Sequence, residues 1–159
     1  MARVYVSMGS NIEPQRHIRA GLIDMLQHFG KLTQSSVYES QAVGFEGDNF
    51  HNLVAGFDTH KNVYAVANIL RMIENKNGRR RSGKRFCART LDLDIILYDD
   101  LILKDKMIEI PRDEIMKYAF VLLPLSEIAP YVKHPQTGQN YADLWVMFDK
   151  KEQLLWRVE

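Results

Sequence analysis

The run Leu91-Asp92-Leu93-Asp94-Ile95-Ile96-Leu97-Tyr98 constrains the fold more than any other segment of the chain. It has strand composition and opens with strict alternation of apolar and acidic residues. Side chains two apart on a strand share a face, so Asp92 and Asp94 point the same way, about 7 Å apart along the chain. Leu91, Leu93 and Ile95 point the other way, into a core. Two adjacent carboxylates repel each other, and burying either one without a partner is costly. A divalent cation removes both problems: Mg2+ takes one or two carboxylates and fills its octahedron with water and substrate phosphate oxygens. Taken alone, the pair reads equally well as two solvated aspartates on a half-exposed strand.

The preceding segment shifts that balance. Between residues 76 and 89 lie seven basic residues (Lys76, Arg79, Arg80, Arg81, Lys84, Arg85 and Arg89) and no acidic one. Such cations cannot pack against one another and must face solvent or an anion. Arginine meets phosphate oxygens in a planar, bidentate way suited to a triphosphate. Gly78, Ser82 and Gly83 mark the segment as a mobile loop. The chain has neither the GxxxxGK[ST] nor the GxGxxG spacing of the common phosphate loops. A basic run alone fits a solvated loop or a nucleic-acid patch; followed at once by the aspartates, it points to a site for Mg-nucleotide.

The whole chain limits the alternatives. Its 159 residues, 46% of them hydrophobic, suffice for one globular domain spanning 1–159. A formal net charge of +1 argues against a general nucleic-acid binder. The single Cys87 excludes an internal disulfide framework and fits a reducing cytoplasm. No stretch approaches a membrane span, and MARVYVSMGSN enters a strand pattern without a signal peptide's apolar region. A cytoplasmic monomer acting on small molecules, with no nucleic acid or membrane partner, is the expectation.

Along the chain, Arg3 to Met8 alternates as a first strand ending in a turn at Gly9-Ser10-Asn11. Pro14 suits a first helical turn, with Ile18, Leu22, Met25, Leu26 and Phe29 as the apolar face and Gly30 as the stop. Leu32 to Tyr38 reads as a second strand. Phe50 to Phe57 reads as a third, with Phe50, Asn52 and Val54 on one side and His51 a surface side chain on the other. Asn62 caps a second helix whose apolar face includes Val63, Val66, Ala67, Leu70 and Ile73. The aspartate strand follows the basic loop. After it come a hairpin over Leu101 to Ile110, a helical turn from Asp113, an apolar segment Phe120 to Ala129 broken by Pro124, and a strand or helix end over Leu154 to Val158. This order predicts a mostly antiparallel α+β sandwich.

With these residues in hand, the chain resembles the 6-hydroxymethyl-7,8-dihydropterin pyrophosphokinase family of folate biosynthesis over nearly its full length. The marks are Gly9-Ser10-Asn11, Tyr38 opening the pterin loop, Phe50-His51-Asn52, Ile73-Glu74 with Gly78-Arg79, the run Arg89 to Tyr98, Ile110-Pro111, and the run Phe120 to Pro130. RTLDLDI followed at this distance by FVLLPLSEIAP is highly specific. The resemblance implies a ferredoxin-like α+β fold, an antiparallel sheet with helices on both faces. It implies transfer of the β,γ-pyrophosphoryl group of ATP to the pterin hydroxymethyl group, giving AMP and the pterin diphosphate.

In that picture Asp92 and Asp94 hold two Mg2+ ions, and Arg79 and Arg89 contact the transferring phosphates. Asn52 hydrogen-bonds the pterin edge, and Phe120 is one ring of an aromatic sandwich. Ser40, Val43, Phe50 and Phe86 line the same pocket. Glu74, Arg81, Ile95 and Arg112 serve the nucleotide, with Ile95 beside the adenine. No dedicated general base is required of the protein, since such transfers rest on positioning and electrostatics.

The chain departs from the family pattern at several of these places. Phe86-Cys87-Ala88 stands where the family carries Trp-Gly-Pro, and Arg112-Asp113 follows Pro111 where the family has a histidine. Tyr118 replaces an arginine two residues before Phe120, and Gln41-Ala42 replaces loop prolines. The alternatives are a relative acting on a modified pterin, and a nucleotide- or pterin-binding protein without turnover. RNA binding through Lys76 to Arg89 is weak, because Phe86 alone could stack a base.

Overall fold

The computed structural model describes residues 1–42, 47–78 and 90–158. Strand β1 (Ala2–Ser10) leads into helix α1 (Pro14–Phe29), followed by the short strands β2 (Thr33–Gln34) and β3 (Tyr38–Ser40). Then come β4 (Phe50–Thr59), α2 (Val63–Lys76) and β5 (Asp92–Tyr98). The remainder comprises the hairpin β6 (Leu103–Lys104) and β7 (Glu109–Ile110), helices α3 (Glu114–Lys117), α4 (Ala119–Ile128) and α5 (Tyr141–Met147), and β8 (Leu155–Arg157).

The main sheet runs β5-β1-β4-β3-β8, with β2 also on β4, and every pairing is antiparallel. This β-α-β-β-α-β order is the ferredoxin-like arrangement that the resemblance implies. Alternation along the strands divides the core into two layers. Val4, Val6, Met8, Leu53, Ala55, Phe57, Leu93 and Ile95 pack under α1 and α2. Tyr5, Val54, Ile96 and Leu97 meet α3, α4 and α5 through Ile115, Val121, Leu122, Leu125 and Leu144. Leu91 is completely buried, and the aspartates face the second layer as the alternation requires.

Several local expectations change. Strand β1 continues through Gly9 and Ser10, which pair with Asn52 and His51 on the long β4, so Gly9-Ser10-Asn11 is not a simple turn. Asn11 is buried and its side-chain amide donates to the Asp48 carbonyl at 3.2 Å. The second strand divides because the Ser35 hydroxyl, not a backbone carbonyl, accepts the Val54 N–H at 2.9 Å. Leu26 is exposed, while Asp24 turns inward and pairs with Lys76 of α2 at 2.9 Å. His51 is on the face expected but buried, its ring Nε2 2.9 Å from Glu39 Oε1. Pro124 does not break α4. An interior proline costs about 3 kcal/mol, but Val121, Leu122 and Leu125 on either side are essentially inaccessible, and their packing outweighs that cost. Asn62 caps α2 as expected, accepting the Ala65 N–H at 2.9 Å.

Candidate active site

Sheet register collects the sequence-derived residues. Residues directly opposite each other on paired strands share a face. Arg157, Tyr38, Asn52, Gly9 and Asp92 form one such row across β8, β3, β4, β1 and β5. Leu155, Ser40 and Phe50 form the next row toward one end. Val54, Ser7 and Asp94 form the row two residues toward the other. Thus Ser40, Phe50, Asn52, Asp92 and Asp94, scattered over more than fifty positions of sequence, stand on one sheet face, the face that α4 covers.

Gly9 sits between Asn52 and Asp92 for a steric reason. A Cβ at that position would lie 2.7 Å from Asn52 Oδ1. The missing side chain leaves the Asn52 amide room to lie across β1 toward the aspartate strand. The sequence signals a glycine there but not its purpose, because the contact depends on cross-strand register.

Helix α4 brings Phe120 to this face. Its ring stacks on Tyr118, with centroids 5.1 Å apart and planes 18° from parallel. Tyr118, where the family pattern has arginine, therefore gives Phe120 an aromatic neighbour. Ser40, Gln41 and Ala42 face Ala119 and Phe120 across a cavity of about 230 Å³, closed on a third side by Lys151 to Leu155. Phe50 and Asn52 lie on the same sheet face but do not line this cavity. At the far end of α4, Glu127 accepts hydrogen bonds from the Ser36 N–H (2.8 Å), the Ser36 hydroxyl (3.0 Å) and the Tyr38 hydroxyl (2.6 Å). These bonds tie α4 to β3 and hold the Glu127 carboxyl below its ordinary range despite partial burial. Burial, and next the bond to Glu127, push the Tyr38 phenol up to about 12.

Asp94 opens a second cavity of about 190 Å³ at the edge of β5. Glu74, Leu93, Ile95 and Arg112 line it with Asp94, so three of the four residues assigned to the nucleotide converge there. Glu74 Oε2 accepts the Leu93 backbone N–H at 2.8 Å, fastening α2 to the outer edge of β5. Arg112 follows a cis Ile110–Pro111 peptide; its own N–H donates to the Ile96 carbonyl at 3.1 Å, and its guanidinium pairs with Glu114. Among the described residues, the Arg112 Nε has no acceptor although it is buried. Burial works against the Arg112 charge, but the Asp94, Glu114 and Asp92 carboxylates hold its pKa above the usual value.

Burial, and next the Asp92 carboxylate, push the Asp94 carboxyl up to about 7, against the pull of Arg112. A cation would relieve Asp94, which stands beside a second carboxylate on the same strand face. Among the described residues no cluster of three or more His, Cys, Asp or Glu side chains could enclose a metal. Two carboxylates on one strand face suit a hard ion that takes its remaining ligands from water and phosphate, as Mg2+ does. Val43, Arg79, Arg81, Phe86 and Arg89 lie outside the described residues, as does most of the basic loop.

A sequence profile of "7,8-dihydro-6-hydroxymethylpterin-pyrophosphokinase (HPPK)" matches residues 5–130. The 2-amino-4-hydroxy-6-hydroxymethyldihydropteridine pyrophosphokinase of Pseudomonas aeruginosa is 36% identical over 146 residues, covering 89% of both chains. The enzyme of the same name from Aquifex aeolicus is 34% identical over 137 residues, covering 85% of both. Among solved structures, a Plasmodium falciparum HPPK-DHPS superposes with a TM-score of 0.73 over 92% of this chain and 42% of the longer one. At 13% identity, that likeness concerns the fold alone.

Proposed function

The chain belongs to the 7,8-dihydro-6-hydroxymethylpterin-pyrophosphokinase family, and on that premise we propose that it transfers pyrophosphate from ATP to the hydroxymethyl group of 6-hydroxymethyl-7,8-dihydropterin in folate biosynthesis. The observation that carries this reading is the single sheet face on which Asn52 and Asp92 flank Gly9, with the Asp94–Arg112 cavity beside them.

In the reaction the pterin hydroxyl oxygen bonds to the β-phosphorus of ATP, and the bond from that phosphorus to the α,β-bridging oxygen breaks. AMP leaves, and the hydroxyl proton is lost to solvent or phosphate. Asp92 and Asp94 are the residues that would hold Mg2+, two ions by analogy with the family. Bound Mg2+ supplies charge neutralisation and alignment between triphosphate and hydroxyl. The protein's own part is positioning. The Asn52 amide reads the pterin edge, Phe120 covers a ring face, and Ser40 and Phe50 border the same region; the family resemblance assigns Val43 and Phe86 to the pterin as well. Ile95 offers apolar surface to the adenine, and Glu74 keeps that wall in place through Leu93. Arg112 presents a permanent cation to phosphate from the Asp94 cavity, which suits a position where a titrating side chain would lose charge as pH rises. Arg79, Arg81 and Arg89 add the remaining positive charge.

We read the chain as a single domain over 1–159 that works as a monomer. No helix among the described residues is long and apolar enough to cross a membrane, and the single cysteine is consistent with work in the cytoplasm.

The direct test is the identity of the products. Incubation with MgATP and the dihydropterin should give AMP and a pterin heavier by one pyrophosphoryl group, read by mass spectrometry. ADP with a pterin monophosphate would contradict the reading.

A further inference from the structure

The family profile ends at residue 130, yet five of the ten residues around the Ser40–Phe120 cavity, Lys151 to Leu155, lie beyond it. We infer that Gln153 is a positioning residue for Phe120 and that the segment 151–155 is a structural wall of the pterin pocket. This rests on the proposed function for the identity of the ligand, but not for the positioning itself.

Helix α4 starts without a cap of its own. Its N-cap residue, Tyr118, is extended (φ −123°, ψ 125°) and makes no side-chain capping bond. The first N–H groups of a helix have no partner within it and need one from elsewhere. Gln153 supplies it: its Oε1 accepts the Ala119 N–H at 2.8 Å. Its Nε2 donates to the Lys117 carbonyl at 2.9 Å. One planar amide thus grips the backbone on both sides of Tyr118, immediately before Phe120, and only one orientation of the amide makes both bonds.

Two residues later the segment joins the opposite wall. Leu155 pairs with Ser40 as β8 runs along β3, and the Val158 N–H donates to the Val37 carbonyl at 2.8 Å. With only Leu154 between Gln153 and Leu155, the span linking the two attachments is about 7 Å of extended chain. The gap between the Phe120 wall and the Ser40 wall is therefore set by a short strut, while Glu127 ties the same two elements at the other end of α4. A flat heteroaromatic ring held between these walls would feel any change in that strut, whereas the described residues lining the nucleotide cavity at β5 include none of 151–155.

The experiment compares the wild type with Gln153→Met, which keeps the volume and loses both bonds, and Gln153→Glu, which keeps the acceptor and loses the donor. Three readouts are taken on each full-length protein. They are hydrogen exchange at the Ala119 amide without ligand, dihydropterin affinity in the presence of a non-hydrolysable MgATP analogue, and affinity for that analogue alone. The expected result is faster exchange at Ala119 in Gln153→Met and roughly tenfold weaker dihydropterin binding, as two modest hydrogen bonds allow. Nucleotide affinity should stay within about twofold of the wild type, and Gln153→Glu should fall between the two. Unchanged exchange at Ala119 would overturn the positioning. Faster exchange with unchanged dihydropterin affinity, or equal losses for both ligands, would overturn the pocket-wall role. A wild-type protein that binds no dihydropterin would overturn the proposed function instead, with the exchange result still deciding whether Gln153 holds α4.

Discussion

Asp94 is a carboxyl under two opposing demands. Its burial and the Asp92 carboxylate favour the neutral form, while Arg112 and metal binding favour the charged one. Its folded-state pKa of about 7 stands above the ordinary 3.8. The sign follows: its protonated form contributes stability that is complete below about 3.8 and lost as pH rises to about 7. An Asn at that position carries no such dependence. In metal-free protein the melting temperature of Asp94→Asn should therefore rise relative to wild type between pH 4 and 7.5, by about 2–4 °C for each kcal/mol involved. Added Mg2+ with nucleotide should stabilise the wild type alone. A constant difference between the two proteins across that range would contradict the assignment. Gly9 gives a second residue-level expectation. Gly9→Ala should raise the KM for the dihydropterin about tenfold by displacing the Asn52 amide, a loss of roughly 1.4 kcal/mol. Its melting temperature should change little, since an alanine is at home in a strand interior. Steady-state kinetics at saturating MgATP would show it. The aspartates and Asn52 were legible in the sequence because strand alternation alone assigns their face. The roles of Gly9 and Gln153 were not, since each acts through a residue distant in sequence whose position only the register reveals.

At the scale of elements, the helices under β1, β4 and β5 were legible because their apolar spacing, Pro14 and Asn62 all signal locally. Removing the α2 cap with Asn62→Ala should cost about 1 kcal/mol, a melting temperature lower by about 2–4 °C, with turnover unchanged. A large loss of turnover would mean that α2, through Glu74 and Leu93, transmits its end position into the site. The elements misread were those decided by long-range contact. Gly9 and Ser10 remain in β1 because β4 offers them partners. Pro124 remains in α4 because the residues around it, Val121, Leu122 and Leu125, are buried in the core. The strand expected over 32–38 divides where Ser35 bonds Val54 through its side chain. Local propensity argues against each of these outcomes, and tertiary pairing or burial decides it.

At the scale of the molecule, one antiparallel sheet separates two duties. The face under α1 and α2 is a closed apolar core. The opposite face carries, in adjacent rows, the polar residues proposed to meet the pterin and the metal ions, with α4 covering one end and the Asp94–Arg112 cavity opening at the other. The central claim is that this face joins the two substrates through the aspartate pair. It is tested most directly by the rate of dihydropterin-dependent AMP release from MgATP, wild type against Asp94→Asn, at pH 8 and saturating substrates. The account predicts pterin-dependent AMP from the wild type and a fall of at least about 100-fold in the variant, equivalent to roughly 2.7 kcal/mol of transition-state stabilisation. AMP release by Asp94→Asn near the wild-type rate would contradict it.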